Sequence, residues 1–343
     1  MPSTAEKVRF LSDPANYPER PARIDVRETH MAYVFLTGER ALKLKKPVRY
    51  PFLDFSTIAA RRRDCEDEVR LNRRLAPGIY EGLLALRRSG DGGLSFAPPG
   101  RIVDWLVEMR QLPEADLLES RLDKADLSEG EVVALAEWLA SFYARAEPER
   151  EDGHLYPGHL ETEMAQCRRI LSRPDFGLAG HAGPALELLT DRYRLVRPEL
   201  LARIADGHIV EGHGDLRPEH VFLSSPPMVI DCLEFSRAMR LLDPYDEVNY
   251  LGLECEMAGA PWVGPLLIET LQAHYSSPPS PSLMSFYGAF RAILRARLCM
   301  AHLLDPTPRL PEKWPPLAIR YLERAIGMLN PRPPEDALSI PRD

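Results

Sequence analysis

The chain has 343 residues, 45% hydrophobic and 27% charged, enough for one large domain or two lobes with ample cores. Its 43 basic and 51 acidic side chains leave a net charge of −8, which argues against nucleic acid as the main partner, because neutralising phosphates needs a basic surface. The five cysteines, at 65, 167, 232, 255 and 299, include no pair at C-x₂₋₄-C spacing, so neither a zinc knuckle nor a disulfide framework is indicated. With no 18-residue apolar run and no apolar leader in Met1 to Pro21, the expectation is a soluble protein of the reducing cytoplasm with no membrane partner.

In chain order, residues 24–48 read as two strands. Met31 to Leu36 is apolar, Thr37-Gly38-Glu39 is a turn, and Arg40 to Leu44 follows. Ser56 to Leu75 lacks Gly and Pro and carries Ile58, Cys65, Val69 and Leu75 near helical spacing, with Ser56 as N-cap. On that helix the run Arg61-Arg62-Arg63 followed by Asp64, Glu66, Asp67 and Glu68 reads as a solvated face. Residues 83–108 give short strands broken at Ser89 to Gly93 and Pro98 to Gly100. From Pro113 the pattern turns helical: Ser128-x-x-Glu131 is a capping box, and further helices are predicted at 159–172, 183–205, 244–258, 262–274, 282–304 and 314–329. Asp243-Pro244 reads as an N-cap with Pro at the first helical position. Two short strands, near 208–212 and 220–231, interrupt the helices. The expectation is α+β: a small β-rich N-lobe at 1–108, a larger, mainly helical C-lobe at 109–330 and a Pro-rich tail at 331–343, with the connection near Glu108-Met109.

The short strands frame the most informative stretch, His213-Gly214-Asp215-Leu216-Arg217-Pro218-Glu219-His220, followed by Val229-Ile230-Asp231. One carboxylate lies in a tight loop after an apolar strand and another at the end of a strand. Transfer of a γ-phosphoryl group needs such a pair, one to orient the attacking hydroxyl and one to hold the metal that bridges the nucleotide's phosphates. The segment resembles the catalytic loop of the protein-kinase superfamily. Its His-Gly-Asp opening is similar to the small-molecule branch, the aminoglycoside phosphotransferase and choline kinase relatives. Further stretches, Glu28 to Val48, Phe52 to Phe55 and Leu71 to Pro77, resemble a poorly characterised bacterial subgroup often fused to a P-loop ATPase domain.

That resemblance implies a bilobal protein-kinase-like fold and an ATP- and Mg²⁺-dependent phosphotransferase acting on a small-molecule hydroxyl, with Mn²⁺ as an alternative ion. It also implies a P-loop ATPase protein as a partner. Asp215 would be the catalytic carboxylate and Arg217 would grip phosphate oxygens. Lys43, in Ala41-Leu42-Lys43, would reach the nucleotide phosphates; Lys45, on the same strand face, is the alternative. Its helix partner would be Glu68, with Glu66 as a second choice, and Glu108 and Met109 would form the hinge beside the base. Asp231 would bind the metal. His220 stands where the family carries asparagine, and an imidazole suits softer metals than Mg²⁺, so a single metal, a different ion or an impaired site all stay open. His213 reads as a structural residue beneath the loop.

Two features stand apart from the pattern. No glycine-rich phosphate loop precedes Lys43, since residues 27–32 contain no glycine, and the absence of any Gly-Lys pair excludes a Walker A site. With His220, this keeps a second reading alive, a catalytically impaired nucleotide-binding pseudokinase or scaffold that regulates a protein partner; transfer of the AMP part of ATP to a protein is a third. Asp243, Asp246 or Glu247, Tyr250 and Glu254 recur at helical spacing after the motif and read as a capped, solvated acidic face or, more sharply, as an anionic wall for a cationic substrate.

Overall fold

The structure is a computed structural model that describes residues 1–50, 53–150, 152–275, 277–305 and 308–330. The tail expected at 331–343 lies outside the described residues. In chain order the elements are α1 (Thr4–Leu11), β1 (Asp25–Glu28), β2 (Ala32–Leu36), β3 (Arg40–Lys45), β4 (Arg49–Tyr50), β5 (Leu53–Asp54), α2 (Ile58–Asn72), β6 (Tyr80–Arg88), β7 (Leu94–Ser95), β8 (Arg101–Arg110) and α3 (Leu118–Lys124). There follow α4 (Glu129–Arg145), α5 (Leu155–Leu171), α6 (Ala179–Ala205), β9 (Val210–Glu211), β10 (Val221–Phe222), β11 (Met228–Val229), α7 (Arg237–Arg240), β12 (Leu241–Leu242), α8 (Pro244–Met257), α9 (Val263–His274), α10 (Pro281–Ala301) and α11 (Trp314–Leu329). Contacts divide the chain into two compact units, Met1–Leu127 with His213–Arg237, and Ser128–Gly212 with Ala238–Asp343. Among the described residues no helix is long and apolar enough to cross a membrane.

The first unit is built on an antiparallel sheet of order β1-β2-β3-β8-β6-β7. Strand alternation gives it two buried faces. Leu42 and Leu44 of β3 join Phe35 and Leu106 on one face, covered by Leu11 of α1 and Tyr17. Ala41 of β3 joins Val107 and Met109 on the other, against Cys65 and Val69 of α2. The sequence alternation therefore sends Lys43 and Lys45 to the α2 side. The Thr37–Arg40 turn closes the β2–β3 hairpin as expected, with Gly38 at φ 99, a conformation that a side chain resists.

Three expectations here need correction. The strands at 80–110 are long, of nine and ten residues, and only the 89–100 connection is broken. The N-cap of α2 is Thr57, whose side chain accepts from the Ala60 N–H at 3.1 Å; Ser56 lies one residue outside. The charged run on α2 is not a solvated face throughout. Arg61 is buried and forks onto Asp104 of β8 with two 2.9 Å bonds, while Lys7 of α1 reaches the same carboxylate at 2.6 Å. Arg62 and Glu66, by contrast, form an exposed pair.

In the second unit, α5, α6, α10 and α11 pack around Tyr156, Leu189, Phe286, Phe290, Ile293 and Tyr321. The Ser128 capping box is present, and Asp243 caps α8 by accepting from the Tyr245 N–H, with Pro244 following. The acids of α8 are neither a solvated face nor an anionic wall. Asp243, Asp246 and Glu247 are fully buried: Asp243 pairs with Arg203, Asp246 with Arg291, and Glu247 accepts from the Tyr143 hydroxyl. Glu254 pairs with Arg295 and accepts from the Tyr321 hydroxyl. A buried carboxylate is tolerable only when paired in this way.

Candidate active site

The site lies within the first unit, in a cavity of about 570 Å³, a size suited to a small-molecule ligand. One end is apolar, with Val34, Ala41, Ile79, Met109, Leu112 and Ile230; the other carries Lys43, Asp215, Arg217, His220 and Asp231. Glu68 also lines it. Of the residues given site roles from sequence, Glu108, Glu66 and His213 do not line the cavity; the Glu108 side chain pairs with Arg40 instead. Glu66 pairs with Arg62 at the surface. The β1–β2 turn, Thr29 to Ala32, borders the cavity without glycine; it is closed by the Thr29 N–H donating to the Ala32 carbonyl, and the Thr29 hydroxyl oxygen accepts from the Ala32 N–H at 3.0 Å.

Both β3 lysines meet Glu68, but they differ in role. The Lys43 ammonium lies 2.8 Å from Glu68 Oε1 and 2.6 Å from Asp231 Oδ1 and looks into the cavity. Burial alone would lower its pKa, yet the carboxylates of Asp231, Glu68 and Glu234 outweigh that and raise it well above the usual lysine value. Lys45 is enclosed: its side chain is 1% exposed, with Glu68 Oε2 at 2.6 Å and Asp64 and Glu234 in direct contact. The three carboxylates Asp64, Glu68 and Glu234 are close enough to share a cation, and the Lys45 ammonium takes that place. Burial, helped by the charge of Glu234, pushes Asp64 up to about 7 against the pull of Lys45. Two ammonium groups thus face four carboxylates, and the cluster retains a negative surplus.

Asp231 sits at φ 61, left-handed for a non-glycine residue, which stores of the order of 1–3 kcal/mol and persists only where neighbours dictate it. They do so here. The Asp231 N–H donates to the Tyr80 hydroxyl at 3.1 Å, and the Cys232 N–H to Asn72 Oδ1 at 2.9 Å. The Val229 N–H donates to the Leu75 carbonyl and the Leu233 N–H to the His213 carbonyl. Although burial opposes it, the Lys43 ammonium holds the Asp231 carboxyl well below the usual range, so it is ionised.

The two histidines tie the loop to this strand. His213 Nε2 donates to the Ile230 carbonyl at 2.7 Å and its Nδ1 accepts from the Asp215 N–H at 3.2 Å. Burial first, then His220, lowers His213 to about 4, so its ring is neutral and purely a brace. His220 Nδ1 lies 2.8 Å from the Asp215 carbonyl, and its Nε2 is 3.7 Å from Asp231 Oδ2. Through this one ring the Asp215 backbone and the Asp231 carboxylate face the same space. Arg217 Nη2 is 2.9 Å from Asp215 Oδ2 and also contacts Glu219.

Lys45 as an enclosed cation, Glu234, Asn72 and Tyr80 were not assigned these roles from sequence. Two carried a signal: Glu234 falls three residues after Asp231, and Asn72 one helical turn after Glu68. Nothing in the sequence marks Tyr80 as the acceptor for Asp231.

The donor set suits a divalent cation: an ionised carboxylate oxygen and an imidazole nitrogen converge beside a negatively charged cluster. Lys43 and Arg217 supply positive charge on the same wall.

No protein-family model matches the chain. Uncharacterized proteins of Mycobacterium tuberculosis and Mycobacterium bovis are 35% identical to it over 283 residues, 80% of this chain and 54% of theirs, so the chain spans about half the length of the curated relatives it matches. Among solved structures, a choline/ethanolamine kinase family protein from Mesorhizobium loti matches with a TM-score of 0.53 and 13% identity, covering 95% of this chain and 96% of that one. A GDP complex of a point mutant of aminoglycoside 2'-phosphotransferase-IIIa matches with a TM-score of 0.54 and 15% identity, covering 93% and 97%. The chain has the α+β, kinase-like fold of these proteins, in line with the resemblance read from its catalytic-loop sequence.

Proposed function

We propose that this chain is an ATP- and divalent-metal-dependent phosphotransferase that moves the γ-phosphoryl group to a hydroxyl of a small molecule. The observation that carries the reading is the convergence of Lys43, Glu68, Asp215, His220 and Asp231 on one cavity with an apolar end. The apolar end fits a nucleotide base, and Lys43, held by Glu68, fits the phosphates. Asp231 and His220 would hold the cation, which when bound neutralises charge on the bridging phosphate oxygens.

The chain's own groups do the positioning. Asp215 orients the acceptor hydroxyl and takes up its proton as the oxygen attacks. Arg217, released from Asp215 and Glu219, offers two parallel N–H groups to the transferring phosphoryl oxygens. His213 keeps the loop and the Asp231 strand in register, and because both of its ring nitrogens are engaged by backbone groups it offers neither to a metal. Glu108 plays no part through its side chain.

The test is incubation of the protein with ATP and Mg²⁺ or Mn²⁺ over a panel of metabolites and aminoglycosides, with ADP formation and the phosphorylated product as readouts. Asp215→Ala is expected to lower turnover by about 10²–10⁴-fold while nucleotide still binds. Asp231→Ala is expected to abolish metal-dependent nucleotide binding. ADP formation that persists unchanged in both variants refutes the assignment. The His220 substitution and the glycine-free Thr29–Ala32 turn favour a second reading, a nucleotide-binding scaffold, for which tight ATP binding with no turnover on any acceptor is the expected result.

A further inference from the structure

We infer that the cation at this site is held through an imidazole nitrogen, so that the pair His220 Nε2 and Asp231 Oδ2 selects a first-row transition-metal ion over Mg²⁺. The inference rests on the metal–nucleotide reading above and deepens it by naming the class of ion.

The tautomer of His220 is fixed by its neighbour. A backbone carbonyl can only accept, so at 2.8 Å from the Asp215 carbonyl the Nδ1 atom carries the proton. In the neutral ring Nε2 then presents a lone pair. A hydrogen bond from the distal ring nitrogen to a carbonyl is the arrangement that orients metal-binding imidazoles. The ring has little freedom to turn away. His220 is 7% exposed, its own carbonyl accepts from the Ile230 N–H at 2.9 Å, and His213 packs beside it with ring centres 5.6 Å apart.

The carboxylate opposite is divided in the same sense. Asp231 Oδ1 is bonded to Lys43, which leaves Oδ2 as the oxygen toward His220. The Nε2 to Oδ2 separation of 3.7 Å is too long for a hydrogen bond. Metal bonds of about 2.0–2.2 Å, opened by roughly 90–120°, would set the two ligand atoms roughly 3.0–3.6 Å apart. A shift of a few tenths of an ångström closes the site on an ion.

The nature of the donor decides the ion. Mg²⁺ takes oxygen ligands in tight octahedral geometry and dehydrates reluctantly, and imidazole offers it nothing that water does not. Transition-metal ions, from Mn²⁺ upward in the Irving–Williams order, accept imidazole readily. The competing arrangement is a doubly protonated His220 that pairs with Asp231 and takes the place of the ion.

The experiment uses the full chain, ADP and Mn²⁺ as a paramagnetic probe, with pulsed electron paramagnetic resonance to detect nitrogen bonded to the ion and ¹⁵N-histidine labelling to assign it. The expected result is a directly coupled nitrogen that changes isotope with the label and disappears in His220→Asn. In the same titrations, His220→Asn is expected to shift the preference for Mn²⁺ over Mg²⁺ by about tenfold toward Mg²⁺. Absence of bound Mn²⁺, bound Mn²⁺ without a histidine nitrogen, or a coupling unchanged in His220→Asn overturns the inference. The labelled wild-type measurement decides even if the variant does not fold. Phosphotransfer with an all-oxygen metal site sinks the inference and leaves the phosphotransferase reading standing, whereas a histidine-bound ion with ADP and no transfer to any acceptor does the reverse.

Discussion

Replacing Lys45 by methionine separates structural electrostatics from ligand binding. Methionine keeps an unbranched stem and deletes the ammonium that lies over the Phe55 ring and meets Asp64, Glu68 and Glu234. Removing one partner from a buried ion cluster costs about 3–5 kcal/mol, because the remaining charges are left without compensation. At about 2–4 °C per kcal/mol for a domain of this size, melting should fall by roughly 6–20 °C at pH 8. The sign of the pH dependence follows from the orphaned carboxylates. Their folded pKa values rise above the unfolded ones, so folding is supported below the unfolded carboxylate range and loses that support as pH rises through the raised values. The deficit relative to wild type should therefore shrink between pH 8 and pH 5. Thermal and urea unfolding across that interval, with Lys43→Met alongside, is the assay. Lys43→Met is expected to lose nucleotide binding with a smaller loss of stability, since Glu68 keeps Lys45 as a partner. A Lys45→Met protein within about 1 kcal/mol of wild type at pH 8, or a deficit equal at both pH values, would refute the reasoning.

Three further outcomes are expected. Asp64, raised to about 7 mainly by burial, favours the protonated form in the folded state, so its contribution is present below about pH 4 and is lost as pH rises through 7; Asp64→Asn should flatten the stability profile over that window, and an unaltered slope counts against the assignment. Tyr80→Phe removes the acceptor of the Asp231 N–H and should cost about 1–3 kcal/mol in urea unfolding, whereas a neutral result would mean that the left-handed backbone is held by other bonds. Asp246→Ala strands the buried Arg291 guanidinium and should destabilise the helical unit by about 3–5 kcal/mol; retention of wild-type stability would show that the pair contributes little.

Local signals were legible in the sequence and distant partners were not. The β2–β3 hairpin, the Ser128 capping box, the Asp243-Pro244 cap and α11 follow from turn chemistry, capping and helical period, each decided within a few residues. Strand alternation also placed Lys43 and Lys45 on one face; only the packing of α2 decides that Lys45 is the enclosed one, held by Asp64 and Glu68. The α8 acids were misread because their partners Arg203 and Arg291 lie 40 and 45 residues away, and nothing local distinguishes a paired core carboxylate from a solvated one. The same holds for Arg61, whose acceptor Asp104 is 43 residues downstream. The α2 cap was missed by one position because Ser56 and Thr57 both carry suitable hydroxyls, and only the backbone bond to Ala60 separates them.

The chain leaves the first unit at Leu127 and re-enters it at His213, and Lys43 meets Asp231 across 188 residues. A ribosome adding about 5–20 residues per second therefore needs of the order of 5–20 s after completing the sheet before it delivers the strand that the sheet requires. Over that interval the groove beside Leu75, Asn72 and Tyr80 waits with its hydrogen-bonding groups unclaimed by the later segment. Assembly of the candidate site on the nascent chain is thus a late, long-range closure.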